Sequence, residues 1–300
     1  MRNKVNKFLT LPVCMNKISV IIPVYNEENV IRETVASLRP YLEQLTSGYE
    51  IICVNDGSTD STPALLDEMK EITVIHHKTN RGYGASLKNG IRNAQFNHIL
   101  IIDADGTYPV SSLPEMLKPY LKNGLDMLIG SRTGANTTYP FVKKVPKYFI
   151  RKYANYITGK NTGDFNSGFR IFKKDVAMRF FDLYPDGFSF TTTITVSMLC
   201  KGYYVDFIPV DYFKRVGKSK IAPVKDTINF FRLLTRLAIF FRPLKLFMPV
   251  VFALLAISLI FIVRDVFILR DLTQSTVLFP ILTSLFFLMG LMADMIARKF

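Results

Sequence analysis

Three hundred residues, 49% of them hydrophobic, allow one large domain or two smaller ones. The three cysteines, Cys14, Cys53 and Cys200, are widely spaced and follow no metal-ligand pattern, which excludes a disulfide framework and suits a reducing compartment. A net charge of +14 admits a nucleic-acid partner, but its distribution argues against one: residues 139–160 contribute +6 and residues 213–245 contribute +8, together the whole excess.

Both basic stretches are also rich in Phe, Tyr, Leu and Ile. Basic plus apolar residues at helical spacing are the signature of a membrane-surface helix. The N-terminus is basic too, but its apolar part, Phe8 to Val13, is short and broken by Pro12, so it is not read as a signal peptide.

In chain order, Ile18 to Val24 is an apolar, β-branched run and predicts a first strand. Asn26 then reads as the N-cap of a helix running to about Leu45, with Glu27 and Glu28 in its first turn. Tyr49 to Val54 predicts a second strand, entering the polar loop Asn55-Asp56-Gly57-Ser58-Thr59-Asp60. Thr62-Pro63 opens a short helix. A third strand covers Ile72 to His76, and Asn80-Arg81-Gly82-Tyr83-Gly84 leads a helix to about Ala94. Further strands are predicted at His98 to Ile102 and Asp126 to Gly130, with a capping box at Ser112-Leu-Pro-Glu115 between them. The three histidines, His76, His77 and His98, fall at strand ends and starts, where a structural role is the simpler reading.

Strands alternating with helices over about 130 residues imply an α/β domain: a mainly parallel sheet with helices on both faces. No strand is followed by Gly-x-Gly-x-x-Gly, which disfavours a dinucleotide-binding enzyme. Pro146 to Thr158 predicts a first amphipathic helix, inside an interfacial segment at 141–159. Asp164-Phe-Asn-Ser167-Gly168-Phe169-Arg170 leads into a short strand, a helix begins at Lys174, another covers about Thr191 to Lys201, and Tyr204 to Val210 is a last strand. The loop Arg215-Val-Gly217-Lys218-Ser219-Lys220 suits a phosphate.

Residues 224–242 repeat the amphipathic pattern, within a juxtamembrane helix at 223–243. Residues 246–263 and 272–293 then carry no charge, and each run is long enough to span a bilayer. The spans are placed at about 246–263 and 275–295 of a hairpin covering 244–300, after a cytosolic domain at 1–222. Lys and Arg crowd before the first run and after the second, so both ends are expected on the cytoplasmic side.

The stretch Ile99-Leu-Ile-Ile-Asp103-Ala104-Asp105-Gly106 is the strongest chemical signal. Ligands of open α/β sheets bind outside the carboxyl ends of strands. Residues i and i+2 of an extended segment point the same way, so Asp103 and Asp105 can face one site. Two readings stand at this point. The pair is a hard-oxygen site for Mg²⁺ or Mn²⁺ that also carries substrate phosphates, or it is a pair of turn acids closing a strand.

The ordered set Pro23-Val-Tyr25-Asn-Glu27, Asn55-Asp56-Gly-Ser-Thr-Asp60, Asn80-Arg-Gly-Tyr-Gly84, Asp103-Ala-Asp105 and Gly130-Ser-Arg132 resembles a family 2 glycosyltransferase of the GT-A fold. The Asp164 to Arg170 segment, the Arg215 to Lys220 loop and the terminal hairpin resemble the polyprenyl-phosphate glycosyltransferases, the group of dolichol-phosphate mannose synthases and undecaprenyl-phosphate sugar transferases. The resemblance implies a metal-dependent, inverting hexosyltransferase. Its donor would be a GDP- or UDP-sugar and its acceptor a polyprenyl phosphate, at the cytoplasmic membrane, with self-association left open.

By the same resemblance Pro23, Tyr25, Glu27, Asp56, Gly82 and Asp103 line the nucleotide-sugar pocket. Asp105 holds the metal, with Asp103 beside it. Thr107 stands where several relatives carry a Gln, and is a weaker ligand. Asp164 is an acidic group beside the reacting centre, and Arg132, Arg151, Ser167, Arg170, Arg215 and Lys220 are assigned to the lipid phosphate or the diphosphate. A processive polysaccharide synthase would carry Gln-x-x-Arg-Trp, but the chain has no tryptophan. A non-catalytic membrane scaffold is the other alternative, and the retained acids and bases argue against it.

Overall fold

The computed structural model describes residues 17–134, 144–213 and 223–298. In chain order the elements are β1 (Lys17–Val24), α1 (Ile31–Leu45), β2 (Gly48–Asn55), α2 (Thr62–Asp67), β3 (Thr73–His76), α3 (Tyr83–Asn93), β4 (His98–Ile101), α4 (Leu113–Lys122), β5 (Met127–Arg132), α5 (Lys144–Thr158), β6 (Arg170–Lys173), α6 (Lys174–Met178), α7 (Phe190–Cys200), β7 (Val205–Val210), α8 (Pro223–Phe241), α9 (Pro243–Arg264) and α10 (Gln274–Ala297). They divide into two compact units. The first holds the described parts of Met1–Pro140, Gly163–Met198 and Tyr203–Lys220, and the second those of Phe141–Thr162, Leu199–Gly202 and Ile221–Phe300.

The first unit is a seven-stranded sheet in the order β3-β2-β1-β4-β6-β5-β7. Ile18, Val20, Ile21, Ile22 and Val24 of β1 are buried, as are Ile99, Leu100 and Ile101 of β4. That is why both strands read as unbroken apolar runs: a parallel strand covered on both faces has no polar side to show. Helix α1 buries Ile31, Val35, Leu38 and Leu42, one stripe at helical spacing.

It begins at Ile31, not at Asn26. Asn26 has a left-handed backbone (φ +55°), and its side-chain carbonyl accepts from the Thr59 N–H at 2.8 Å while its own N–H donates to Ser58 Oγ at 3.0 Å. It laces the loop after β1 to the loop after β2 instead of capping a helix.

All the pairings are parallel except those of β6, which runs antiparallel to both β4 and β5. This one reversal positions the site. Arg170, the first residue of β6, is level with Ile101 and Ile129, near the carboxyl ends of β4 and β5. The segment before Arg170 is therefore delivered beside Asp103 and Arg132. A parallel β6 would have sent it to the opposite edge.

In the second unit, α5 packs on α8: the Tyr153 ring stacks on Phe231 at 5.6 Å and its hydroxyl bonds Thr235 Oγ1 at 3.0 Å. Residues 141–162 fall in this unit, with the C-terminal helices. Ile150, Ala154 and Ile157 are buried, whereas Tyr148, Phe149, Arg151, Lys152 and Tyr156 are exposed. The aromatic rings share the outer face with the bases instead of opposing them.

Helices α9 and α10 form a hairpin whose seam repeats every seven residues. Thr276 bonds Asp265, Ser258 Oγ lies 3.4 Å from Thr283 Oγ1, and Val251 and Gly290 are buried one repeat further on. A side chain at Gly290 would press on Phe247, so glycine lets the two backbones close there. The outer faces stay apolar and exposed, as at Phe252, Leu259 and Met292, and both helices are long and apolar enough to cross a membrane.

Candidate active site

The loops at the carboxyl ends of β1, β2, β4 and β5 hold most of the expected site residues. After β4, Ala104 is buried and its carbonyl accepts from Thr34 Oγ1 at 3.1 Å, which anchors the backbone and turns Asp103 and Asp105 away from the core. Asp103 Oδ1 accepts from the Tyr83 hydroxyl at 2.9 Å. Gly168 abuts the same carboxylate so closely that any side chain there would collide with it. Burial first, and the like charge of Asp105 second, push the Asp103 carboxyl up to about 6.

Asp105 Oδ1 accepts from the Thr107 N–H at 3.2 Å and from its hydroxyl at 2.7 Å. Thr107 is itself buried and spends its hydroxyl proton on orienting Asp105. Two carboxylates on one side, near enough for one to raise the other, are a donor set that fits a divalent cation. Among the described residues no group of three or more His, Cys, Asp or Glu side chains is placed to hold one. The fit is therefore to a metal that takes part of its ligands from elsewhere.

Asp164 and Arg132, assigned separately from the sequence, are one ion pair. Arg132 Nε and Nη2 donate to the two carboxylate oxygens at 2.7 and 2.9 Å, and the Arg132 backbone N–H adds a bond at 3.2 Å. The fork fixes the plane of the guanidinium, which also lies 5.4 Å over the Tyr212 ring.

Four expected residues turn out to be builders of the pocket. Asp56 is buried. Its Oδ1 accepts from His77 Nδ1 at 2.8 Å and from the Arg81 N–H at 2.9 Å, and its Oδ2 from the Gly82 N–H at 2.8 Å. This carboxylate takes three protein donors and shapes the loop that leads into α3. Gly82 (φ +103°) has no room for a side chain because the Asp186 carbonyl occupies the space, and Gly84 meets the carbonyls of Pro185 and Gly187. Both glycines admit the 185–187 backbone, whose Asp186 carbonyl accepts from the Ala85 N–H at 3.0 Å.

Ser167 is buried and donates to the Gly130 carbonyl at 2.6 Å. Arg170 is fully buried, with its guanidinium on the carbonyls of Phe165, Ser167 and Thr191 and on Thr195 Oγ1. Burial lowers it to about 10, still protonated at neutral pH. Ser167 and Arg170 pin the 164–168 loop to β5 and α7, and a buried arginine spent on carbonyls is not open to a lipid phosphate.

Pro23, Tyr25 and Glu27 are half-buried at the end of β1. The Glu27 carbonyl accepts from the Val30 and Ile31 N–H groups at the start of α1, and its N–H donates to Thr62 Oγ1 at 3.0 Å. Arg151 is exposed on α5, in the second unit. Arg215 and Lys220 lie outside the described residues.

Sequence reasoning missed three contributors. Tyr83 holds Asp103. Tyr108, buried and with its phenol pushed well up by that burial, accepts from the Gly168 N–H at 3.0 Å and bonds Ser167 Oγ at 3.1 Å. His77 sets Asp56, and its Nε2 faces the Asn89 amide nitrogen at 3.1 Å, which fixes the proton on Nδ1. Only their place in conspicuous motifs could have drawn attention to them.

This arrangement has a match among characterised families. The model of glycosyl transferase family 2 covers residues 19–181, more than half of the chain, and that of the GtrB C-terminal hairpin covers residues 242–298. The chain belongs to glycosyl transferase family 2. It is a glycosyltransferase with a C-terminal hairpin of the GtrB type.

It is 26% identical over 208 residues to a dolichyl-phosphate hexose transferase of Haloferax volcanii, a match covering 69% of this chain and 87% of the relative. It is 29% identical over 167 residues to an undecaprenyl-phosphate 4-deoxy-4-formamido-L-arabinose transferase of Proteus mirabilis. That match covers 54% of this chain and 50% of the relative, so the chain spans about half of its length. In fold it is similar to glucosyl-3-phosphoglycerate synthase from Mycobacterium tuberculosis, crystallised with Mn²⁺, uridine diphosphate and phosphoglyceric acid. The TM-score is 0.58 at 15% identity, over 74% of this chain and 78% of that one.

Proposed function

We propose that the protein transfers a sugar from a nucleotide-sugar donor to a polyprenyl phosphate, at the cytoplasmic face of a membrane, with inversion at the anomeric carbon. One observation carries this reading: the paired carboxylates after β4 of a family 2 domain stand on the same chain as an apolar helical hairpin. The names of the two polyprenyl-phosphate relatives point the same way.

The chemistry follows from the acceptor. A phosphate oxygen is already anionic at neutral pH, so it attacks without a strong general base. A bond forms between that oxygen and the anomeric carbon, the bond from that carbon to the diphosphate oxygen breaks, and its electron pair leaves with the nucleoside diphosphate. The protein must neutralise the leaving group and align the nucleophile.

Asp105, with Asp103 beside it, would hold Mg²⁺ or Mn²⁺, which when bound supplies Lewis-acid stabilisation of the diphosphate. The structural relative crystallised with Mn²⁺ and uridine diphosphate supports this assignment. Arg132 offers a cation of fixed orientation to the phosphates. Asp164, with both oxygens on Arg132, orients that cation and does not take a proton. Pro23, Tyr25 and Glu27 border the nucleotide, while Asp56 and Gly82 set the wall behind it. Arg151, Arg215 and Lys220 remain assigned to the lipid phosphate.

Membranes containing the protein, given undecaprenyl or dolichyl phosphate and a panel of labelled GDP- and UDP-sugars, test the proposal. Label from one donor should become extractable into organic solvent, and only with Mg²⁺ or Mn²⁺ present. Extracts that stay unlabelled with every donor would overturn it.

A further inference from the structure

The contacts around Asp103 close into a ring that reaches Phe188 and Asn166. From Asp103 the path runs to the Tyr83 hydroxyl at 2.9 Å, and the Tyr83 ring stacks on Phe188 with centroids 5.6 Å apart and planes 22° from parallel. The Phe188 carbonyl accepts from Thr191 Oγ1 at 3.3 Å, and the same hydroxyl lies 2.9 Å from Asn166 Oδ1. Two residues further on, Gly168 rests against the Asp103 carboxylate and closes the ring.

Two features of this ring are unexplained by packing. Phe188 leaves 71% of its surface exposed although its ring is stacked on Tyr83. A single exposed ring is ordinary by itself; what bears on the site is that this one stacks on Tyr83, which holds Asp103. Asn166 Oδ1 faces two hydroxyls, Thr191 at 2.9 Å and Thr192 at 3.4 Å, on threonines that are themselves buried. The amide lies with its oxygen on these two hydroxyls, the Thr191 proton being shared between it and the Phe188 carbonyl. Among the described residues the Asn166 amide nitrogen has no hydrogen-bond partner, so two oriented N–H donors are left over.

An exposed aromatic ring and a fixed, uncharged amide donor beside a carboxylate match a pyranose more closely than a phosphate. The C–H face of a sugar packs on a ring, and its hydroxyls pair with amide donors and carboxylate acceptors. Phosphate sites use guanidinium or ammonium groups, which Phe188 and Asn166 do not provide.

We infer that Asn166 and Phe188 form the subsite that binds the sugar ring of the donor and sets which sugar is accepted. This rests on the glycosyl-transfer reading and adds to it the residues that read the transferred group. The Asn166 amide would donate to ring hydroxyls, Phe188 would cover one apolar face, and Asp103, held by Tyr83, would accept from a hydroxyl opposite. Asn166 and Phe188 take no part in a bond change or in holding the metal, so their loss should weaken recognition of the sugar and leave recognition of the diphosphate intact.

The experiment compares binding of nucleoside diphosphates (UDP, GDP) with binding of their sugar conjugates (UDP-glucose, UDP-N-acetylglucosamine, GDP-mannose) to the full-length protein in detergent with Mn²⁺. Asn166→Ala and Phe188→Ala should each weaken the preferred sugar conjugate about tenfold, or about 1.4 kcal/mol, and change the diphosphate Kd less than twofold. Phe188→Tyr, which keeps the ring, should restore binding of the conjugate. Asn166→Asp, which exchanges donors for acceptors, should alter the order of preference among the conjugates.

Equal loss of diphosphate and conjugate in both alanine variants, or no loss in either, would overturn the subsite while leaving the glycosyl-transfer reading in place. Wild-type protein that binds none of these ligands would overturn both. Unchanged thermal unfolding of the variants separates lost recognition from lost folding.

Discussion

Two acids, one in each unit, show how differently a carboxylate can be housed. Asp265, at the turn between α9 and α10, is fully buried, yet it is surrounded by donors: the Thr273 N–H and hydroxyl at 2.7 Å each, the Thr276 hydroxyl, and Arg264 Nε at 2.8 Å. Asp103 shares its neighbourhood with the like charge of Asp105, and its own carboxyl is pushed up to about 6. The first arrangement surrounds a charge with donors, whereas the second gives the carboxylate one hydroxyl donor, Tyr83, and sets a like charge beside it. A carboxylate fully paired by its own chain builds structure, whereas one held beside another carboxylate is placed for a ligand. Asp56 and Asp164 belong with Asp265 by this criterion, since protein donors already occupy their oxygens.

The sharpest way to break this contrast is to remove the second acid of the pair. Asp105→Ala should lower transfer by about a thousandfold or more, the scale expected when the group stabilising a developing charge is lost. A chelator should do the same to the wild type. If Asp105→Ala keeps full activity in chelator, the metal assignment is wrong.

Gly168→Ala comes next. It adds a methyl group against the Asp103 carboxylate without touching any charge. A displacement of that size should cost about a hundredfold in turnover with the fold retained. Wild-type turnover in a well-folded Gly168→Ala protein would mean that the position of Asp103 is not critical.

Asp164→Asn should have a smaller effect, about tenfold, because the amide still meets Arg132 although the charged fork is lost. A general base would be missed by a factor of about a hundred to ten thousand. Steady-state rates as deficient as those of Asp105→Ala would therefore make Asp164 the base and sink its assignment as an orienting group.

Much of the first unit was legible from residue order. All seven strands lie where apolar runs placed them, most clearly the central β1 and β4, because a strand buried on both faces has little polar side to show. The two long helices declared themselves through uncharged runs. What could not be read was direction and destination. Four residues of β6 carry no signal of which way they run, and that direction brings the 164–168 loop to Asp103.

A charged side chain also looks the same in sequence whether it meets a ligand or a carbonyl. Arg170 reads from the sequence as a phosphate ligand yet is enclosed by backbone carbonyls, and the motif around Asp56 does not reveal that its carboxylate also takes His77 and two N–H groups. Asn166 is hidden for the converse reason, since its hydroxyl partners, Thr191 and Thr192, lie twenty-five and twenty-six residues away.

The smallest effect on transfer is expected at the other pole of the comparison. Asp265→Ala removes the acceptor shared by Thr273, Thr276 and Arg264, and leaves those donors unpaired at the hairpin turn. Leaving buried donors unsatisfied costs about 1–3 kcal/mol. The thermal midpoint in detergent should fall accordingly, while turnover per folded molecule stays within about twofold of wild type, the range of an uncoupled site. Asp265→Asn keeps an acceptor oxygen and should recover part of that stability. The informative failure is the opposite pattern, a normal midpoint with impaired transfer. Asp265 would then influence the reaction despite being fully paired, and pairing by the chain's own donors would no longer separate structural acids from functional ones in this protein.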